Sequence, residues 1–401
     1  MKIAMFSPLP PKETGIALYT ENILHALIDK VNITLFDTHL TSNNFLGRKV
    51  YNYAVDKSPI ATLNQYDLIV YHIGNNAPFH LPIYQTLCQY PGVVVLHDAV
   101  IYYLIAAQDN YEVIRDFSIN YGFSRVRELD EIRTQCHNDN LVTYPYPERY
   151  PLLKTVLNNA QAIIVHSETT KNLVIAQGYK NKIYVIPLLI YRDALRCQSN
   201  LQRHGKYRKK FNLNNELIIG SFGFIGPTKR LDTVLTVLEI IKSCLNFKFL
   251  IVGTGLTQEL QAKINHYHLH EHVIFTGYQS SNEDFFDLMD LCDIVINLRY
   301  PSMGETSSIV IQAMFLGKSC VVTNYGWFAE LPDAAVAKIS YDASETEVLF
   351  STLTMLGNNK LNRQIMGDNA RNYVLENCHP DQVANKYLAV FSDNTKTSAS
   401  D

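Results

Sequence analysis

Met303-Gly304-Glu305-Thr306-Ser307-Ser308, running into Ile309-Val310-Ile311-Gln312-Ala313-Met314-Phe315-Leu316 and then Gly317, is the stretch on which the fold turns. Cys292-Asp293-Ile294-Val295-Ile296-Asn297 before it reads as a buried strand, and Cys320-Val321-Val322-Thr323 after it as the next one. Small hydroxyl residues open the segment between them and a glycine closes it, which is the end chemistry of a short helix. The result is a strand, loop, helix and strand whose loop carries hydroxyls, a glycine and one carboxylate. A helix start of this kind offers unpaired N–H groups and the positive end of the helix dipole, which together hold a phosphate. Glu305 would sit badly beside bare phosphate but well beside a phosphate ligand that also carries hydroxyls, such as a sugar diphosphonucleotide. The plain alternative is an ordinary turn with a polar cap.

Outward from there, the same unit repeats. Leu217 to Phe222, Phe247 to Val252 and His272 to Phe275 are strands, ending in Gly223, Gly253-Thr254-Gly255 and Thr276-Gly277-Tyr278. The N-terminal half starts the rhythm independently. Lys2 to Phe6 is a strand, Ser7 to Gly15 a loop, and Ile16, Tyr19, Ile23, Leu24 and Leu27 fall at helical spacing. Further strands are read at 32–36, 66–72, 93–96, 162–165 and 183–186. Two α/β domains follow, each Rossmann-like. In parallel sheets ligands bind beyond the carboxyl ends of strands, where His72-Ile73-Gly74-Asn75 and His97-Asp98 stand. No G-x-G-x-x-G follows the first strand, which removes the main support for a nicotinamide dehydrogenase.

Asn297 to Ser307, Gln312-Ala313-Met314, Gly317 and Gly326-Trp327-Phe328-Ala329-Glu330-Leu331-Pro332 together resemble the donor site of family-4 retaining glycosyltransferases. The match is closest to a bacterial branch reading Gly-Glu-Thr-Ser. The usual pattern of the family places two glutamates here, the second just before Ala-Met. In this chain Gly304 and Gln312 occupy those positions, and Glu305 comes one residue late. The resemblance implies the GT-B fold: two facing Rossmann-like domains with an interdomain cleft. It also implies transfer of a sugar from a UDP- or GDP-sugar to a hydroxyl of a glycan, glycolipid or small molecule, with retention of configuration. By the same resemblance His97 and Glu305 hold the sugar, and Lys229 with the N–H groups from Thr306 through Ser307 and Ser308 to Ile309 stabilises the departing diphosphate. Gly15 lies in the loop near the phosphates and, like Gly223, is a matching glycine, Gly304 falls on the first glutamate position of the donor site, and Gly277-Tyr278 takes the nucleobase. Family members usually carry arginine and glycine where Phe224 and Arg230 stand, so Arg230 is the candidate to restore a phosphate contact. Gln312 is expected to bind the ribose as a neutral amide, at a cost on the order of 1 kcal/mol against a glutamate.

The expected domains are 1–190 for the acceptor side, 191–215 as linker, 216–375 for the nucleotide sugar, 376–393 as a helix crossing back, and 394–401 as a disordered tail. Residues from about 101 to 152 read as a helix followed by a tyrosine-rich loop facing the acceptor. The run Arg203-His204-Gly205-Lys206-Tyr207-Arg208-Lys209-Lys210 reads as a solvated face of the linker, with contact to anionic lipid headgroups as the alternative.

Composition sets the outer bounds. The 401 residues are 47% hydrophobic, enough for two cores, and a net charge of −3 speaks against nucleic acid as the main partner. Seven cysteines without paired spacing suit a reducing cytosol. No signal peptide or membrane-length apolar run is read, so the expected place is cytoplasmic, at most peripheral at the inner membrane face. No Asp-x-Asp string or Cys/His ligand cluster is present, so neither metal nor cofactor is expected to be required. A scaffold subunit that has lost turnover is the other reading, favoured by Gln312, Phe224 and the displaced glutamate; a nucleotide-sugar epimerase is a third. Twenty-five tyrosines stand against one tryptophan, a skew that the pattern alone does not explain. Oligomeric state is not legible.

Overall fold

The computed structural model of the chain describes residues 1–40, 42–197 and 201–395. The tail expected to be disordered lies outside them from residue 396, as do the side chains of Arg203 and His204 in the basic run. The chain forms two compact units.

The first unit takes Met1–Leu188, Met303–Thr306 and the chain from Pro380 onward. Its strands are β1 (Lys2–Phe6), β2 (Asn32–Asp37), β3 (Asn44–Phe45), β4 (Arg48–Asn52), β5 (Leu68–Ile73), β6 (Gly92–Leu96), β7 (Ala160–Val165) and β8 (Lys182–Val185). They form one sheet in the order β3-β4-β2-β1-β5-β6-β7-β8, parallel except for the β3–β4 hairpin. The central strands are apolar throughout because helices cover both faces; β6, Gly-Val-Val-Val-Leu, is buried along its whole length. Packing is close enough that a Cβ on Gly92 would lie 2.5 Å from the backbone oxygen of Ile69.

Residues 101–152 depart from expectation. They form short helices at Tyr102–Ala106, Asn110–Tyr121 and Glu128–Thr134, with single 3-10 turns at Phe123–Arg125, His137–Asp139, Leu141–Thr143 and Pro147–Arg149. Tyr102, Phe117, Ile132 and Tyr144 bury their side chains in the core of this unit. This also accounts for part of the tyrosine excess. The Tyr144 ring packs at a tilt against those of Tyr102 and Tyr150, and the Tyr84 hydroxyl donates to buried Asp116 at 2.9 Å. The loop is therefore a packed helical insert, and of its tyrosines 144 and 150 are spent on packing while Tyr146 stays half exposed.

The second unit takes Leu189–Ser302 and Ser307–His379. Its strands are β9 (Leu217–Phe222), β10 (Phe247–Val252), β11 (Val273–Gly277), β12 (Ile294–Asn297), β13 (Ser319–Thr323) and β14 (Val336–Ile339). All pair in parallel, in the order β11-β10-β9-β12-β13-β14. This is the doubly wound order, and its winding reverses between β9 and β12. The crevice at the carboxyl ends of those two strands is the place where such sheets bind ligands. Helix Leu231–Ile241 covers one face with Leu231, Val234, Leu235, Leu238 and Ile241, the stripe its spacing predicts.

The described part of 191–215 is not an open linker. Helices Arg192–Cys197 and Leu201–Lys210 lie within the second unit against helix Asn282–Leu291. Tyr207 Oη donates to Asp284 Oδ1 at 2.5 Å, and the Cys197 thiol points at Asp287 Oδ1 at 3.2 Å. The closing helix, Pro380–Asn394, packs in the first unit on helix Gly15–Ala26, and the hydroxyls of Tyr19 and Tyr387 are 2.6 Å apart. Among the described residues no helix is long and apolar enough to cross a membrane.

Candidate functional site

The reversal between β9 and β12 gathers the candidate residues of the second unit. After β9 the chain turns at Gly223, whose φ of 87° is a conformation that side chains rarely adopt. A Cβ there would stand 2.8 Å from Ile309 Cδ1 and 3.3 Å from Lys229 Nζ. The loop after β9 thus lies against the first turn of helix Ser308–Phe315, and Lys229 is brought to that turn. Ser307 caps the helix, its Oγ accepting from the Val310 N–H, and Asn297 at the end of β12 donates to the same Oγ at 3.0 Å. A buried serine is thereby fixed at the mouth of a helix whose free N–H groups favour anions.

Lys229 is only 4% exposed, and its ammonium donates to the backbone oxygen of Phe222. Burial, and then the nearby charge of Arg299, pull its pKa down to about 7. Arg299 itself donates from Nη1 to Thr228 Oγ1 at 3.0 Å, and its N–H donates to Thr323 Oγ1 at 2.9 Å. Two cations share one crevice with no carboxylate among the causes of the lysine's shift. Like charges held together this way are costly in the empty site and useful when an anion with more than one charge arrives. Arg299 falls inside the stretch Asn297 to Ser307, where sequence reasoning gives it no role. Its place directly after β12, at the strand where the winding reverses, is the signal that could have found it.

Tight backbone packing holds this crevice. The Gly223 N–H donates to Val252 O at 2.8 Å, and the Gly253 N–H to Gly277 O at 3.0 Å. A Cβ on Gly253 would collide with the carbonyl of Gly223, and φ at Gly253 is 147°. Gly253→Ala is therefore expected to destabilise the protein by about 3 kcal/mol or more and to displace the turn that carries Gly223. Urea unfolding measures it, and a midpoint equal to that of the parent would refute the close approach.

Two expected contacts are engaged elsewhere. Arg230 Nε donates to Glu345 Oε1 at 2.7 Å, its Nη2 contacts the other carboxylate oxygen and Thr233 Oγ1, and its guanidinium lies 4.6 Å from the centre of the Tyr341 ring. Its left-handed backbone, φ 52°, aims the side chain along its own helix, away from the phosphate role that the sequence suggested. Gln312, expected at the ribose, is 1% exposed; its Oε1 accepts from the Tyr191 N–H at 2.8 Å, and its Nε2 donates to Leu189 O at 3.0 Å. Both ends of the amide are spent holding the 189–191 segment on helix Ser308–Phe315 within the second unit. Gly277 has φ 70° and Tyr278 is half exposed, at the end of the outer strand β11.

The first unit carries its own cluster of candidate residues. His97 follows β6, and its N–H donates to Ile73 O at 2.9 Å. Directly after it, the N–H groups of Ala99 and Val100 donate to Met303 O at 2.8 and 2.9 Å. Gly304 packs on Ala99, 2.6 Å from where its Cβ would lie, with φ 80°, and its carbonyl accepts from Thr170 Oγ1 at 2.8 Å. The Glu305 carboxylate accepts from the Met303 N–H at 2.5 Å. Gly304 is thus required by contact with the segment after His97, and it sets Glu305 in the same loop cluster. Gly15, by contrast, opens helix Gly15–Ala26 with free space around its Cβ position.

His97 stands in a set of buried imidazoles that the sequence did not assemble. His72 Nδ1 lies 3.0 Å from His97 Nε2, the His97 and His166 rings are 5.0 Å apart, and Tyr19 touches all three. Burial pulls the pKa of His72 down to about 3, and those of His80 and His166 to about 4; it holds His97 well below its ordinary value, with its histidine neighbours adding to the effect. All four are neutral at physiological pH. Among the described residues no group of three or more His, Cys, Asp or Glu is placed to hold a metal ion.

Residues 204–373 match the family Glycosyl transferases group 1, the Lys229 crevice lies within the matched residues, and the match supports a transferase enzyme. Among individual proteins, an uncharacterized glycosyltransferase of Methanocaldococcus jannaschii, MJ1069, is 22% identical over 263 residues. That match spans 65% of this chain and 65% of the length of that relative. The crystal structure of Anabaena Alr3699/HepE in complex with UDP is 17% identical with a TM-score of 0.69, covering 98% of this chain and 100% of that one. WaaG, a glycosyltransferase involved in lipopolysaccharide biosynthesis, is 14% identical with a TM-score of 0.62, covering 96% and 98%. These likenesses show the GT-B fold.

Proposed function

We propose that the protein transfers a glycosyl group from a nucleoside diphosphate sugar to a hydroxyl acceptor, with retention of configuration. The observation that carries this is the buried Lys229 with the half-buried Arg299 near it, beside the capped start of helix Ser308–Phe315, at the winding reversal of a sheet within residues that match a glycosyltransferase family. UDP is the first nucleotide to test, because Anabaena Alr3699/HepE has been crystallised with UDP and with UDP-glucose. In this reading Lys229 and Arg299 neutralise charge that grows on the leaving diphosphate, and the helix N–H groups add to it. His97 and Glu305 hold the sugar, and the departing diphosphate guides the acceptor to the same face. The two cations supply charge that a metal would otherwise bring, so turnover is proposed to be metal-independent. The acceptor is proposed to be a glycan, glycolipid or small molecule.

A scaffold without turnover is kept as the second reading, because Gln312 and Arg230 are both spent inside the second unit. Calorimetric titration with UDP and GDP, with and without magnesium, followed by product analysis with the tighter nucleotide's sugars, decides between them. Nucleotide binding with released free sugar or product supports the enzyme, whereas binding without either supports the scaffold.

A proton count sharpens the first arm. Lys229 with a pKa near 7 is partly neutral in the empty site, and a bound diphosphate favours its charged form. UDP binding near pH 7.5 is therefore expected to take up roughly half a proton to one proton, read as a slope when the binding enthalpy is plotted against the ionisation enthalpy of the buffer. Affinity should fall as pH rises above 7. A flat plot would remove Lys229 from the phosphate.

A further inference from the structure

The imidazoles around His97 settle which of its nitrogens carries the proton. His166 Nδ1 lies 2.8 Å from Ile186 O, and a carbonyl only accepts, so that nitrogen bears the hydrogen. Its Nε2 is then bare, and it is buried with no hydrogen-bond partner among the described residues. His80 is fixed in the same way, its Nδ1 donating to His72 O at 3.1 Å. His72 repeats the pattern one step inward. It is 0% exposed, its Nε2 is buried without a partner, and its Nδ1 meets His97 Nε2 at 3.0 Å. Were the proton on Nε2 of His72, a buried N–H would be orphaned, which folded proteins avoid more strictly than a bare acceptor. With the proton on Nδ1, the one bond available to the ring is made.

We propose that His72 is a positioning residue: it donates from Nδ1 to His97 Nε2 and so leaves His97 its single proton on Nδ1, a fixed hydrogen-bond donor to a hydroxyl oxygen of the donor sugar. The second half of this statement rests on the reading of His97 as a sugar contact; the first does not. It makes His97 unable to serve as a base through Nε2, which is already accepting. It also sets the chemistry that His97 selects, a hydroxyl with a lone pair to offer. The neighbouring rings are neutral and buried, so no imidazolium competes for the bond.

The test uses full-length protein carrying 15N-labelled histidine at pH 7.5, with the His97 signals identified by their loss in His97→Asn. The parent is expected to show His97 protonated on Nδ1. His72→Phe is expected to move it toward the Nε2–H form that free imidazole favours. His72→Asn, whose amide N–H stands where Nδ1–H stood, is expected to keep it. With UDP-glucose, kcat/KM should fall about tenfold in His72→Phe and recover in His72→Asn, while UDP affinity stays at the parent value and reports that the fold is intact. A parent His97 protonated on Nε2 overturns the proposal whatever the substrate is. The expected tautomers with equal kcat/KM in all three proteins overturn the role toward the sugar. Absence of turnover in the parent is a failure of the function proposed above, and the nitrogen spectra still decide the tautomer.

Discussion

Lys229→Met is expected to abolish nucleotide diphosphate binding and, at the same time, to raise the melting temperature. The two halves come from one fact, that an ammonium is held 4% exposed beside an arginine. The lysine's pKa is about 7 in the folded chain against 10.5 unfolded, so the fold disfavours its charged form. That penalty is felt in full below pH 7 and fades as pH climbs toward 10.5. Methionine fills nearly the same volume without the charge, and such replacements of buried charged groups commonly stabilise by about 1–4 kcal/mol. For activity the sign reverses. Removing one donor aimed at developing charge in a water-poor site costs roughly 10²–10³ in rate. Stability given up where a multiply charged ligand must be met is the signature of a functional position. Thermal melts at pH 7 with UDP titration of both proteins make the comparison; a lower melting temperature together with normal UDP binding would turn Lys229 into a structural residue.

The second large effect is acid sensitivity of the first unit. His72, His80, His97 and His166 are kept neutral by burial, with folded pKa values at or below about 4 where a value is given, against 6.5 in the unfolded chain. Above pH 6.5 neither state binds protons at these rings, and their neutrality costs nothing. As pH falls below 6.5 the unfolded chain takes up protons that the folded one refuses, so stability is lost down to the folded values. At pH 5 each ring contributes a loss of up to about 2 kcal/mol. Several such rings rival the whole stability of a typical protein, about 5–15 kcal/mol. The urea midpoint is therefore expected to drop steeply between pH 7 and pH 5, with β5 to β7 losing amide protection together. His166→Leu should flatten that slope. A midpoint unchanged at pH 5 would mean that these rings admit protons while folded.

Much of this was legible in the chain because local rules and the tertiary answer agreed. The continuous apolar strands, the turn glycines and the cap at Ser307 each point to one parallel α/β plan, and the structure has it. Two kinds of region were not legible. The β3–β4 hairpin turns at Leu46-Gly47, both at positive φ, and leucine at the first central position hides a turn that asparagine would have announced. The helices of 102–134 are short and tyrosine-rich, and their apolar faces gain meaning only from packing on a shared core. Helices Arg192–Cys197 and Leu201–Lys210 are hard to read for a related reason: a basic run gives no sign that they rest on helix Asn282–Leu291.

At the site, sequence by itself determined the residue types and their strand-end addresses: Lys229 after β9, His97 after β6, and Ser307 at a helix start. Those follow from periodicity and turn chemistry, which act over a few neighbouring residues. Only the tertiary structure decided what each side chain does. Arg230 turns to Glu345 and Gln312 to the backbone at 189 and 191, partners 115 and more than 120 positions away in the chain. Arg299 joins Lys229, and four histidines from separate segments meet around Tyr19 and β5. Charge, burial and proton position are set by groups brought close in space, and the spacing of residues along a chain carries no record of them.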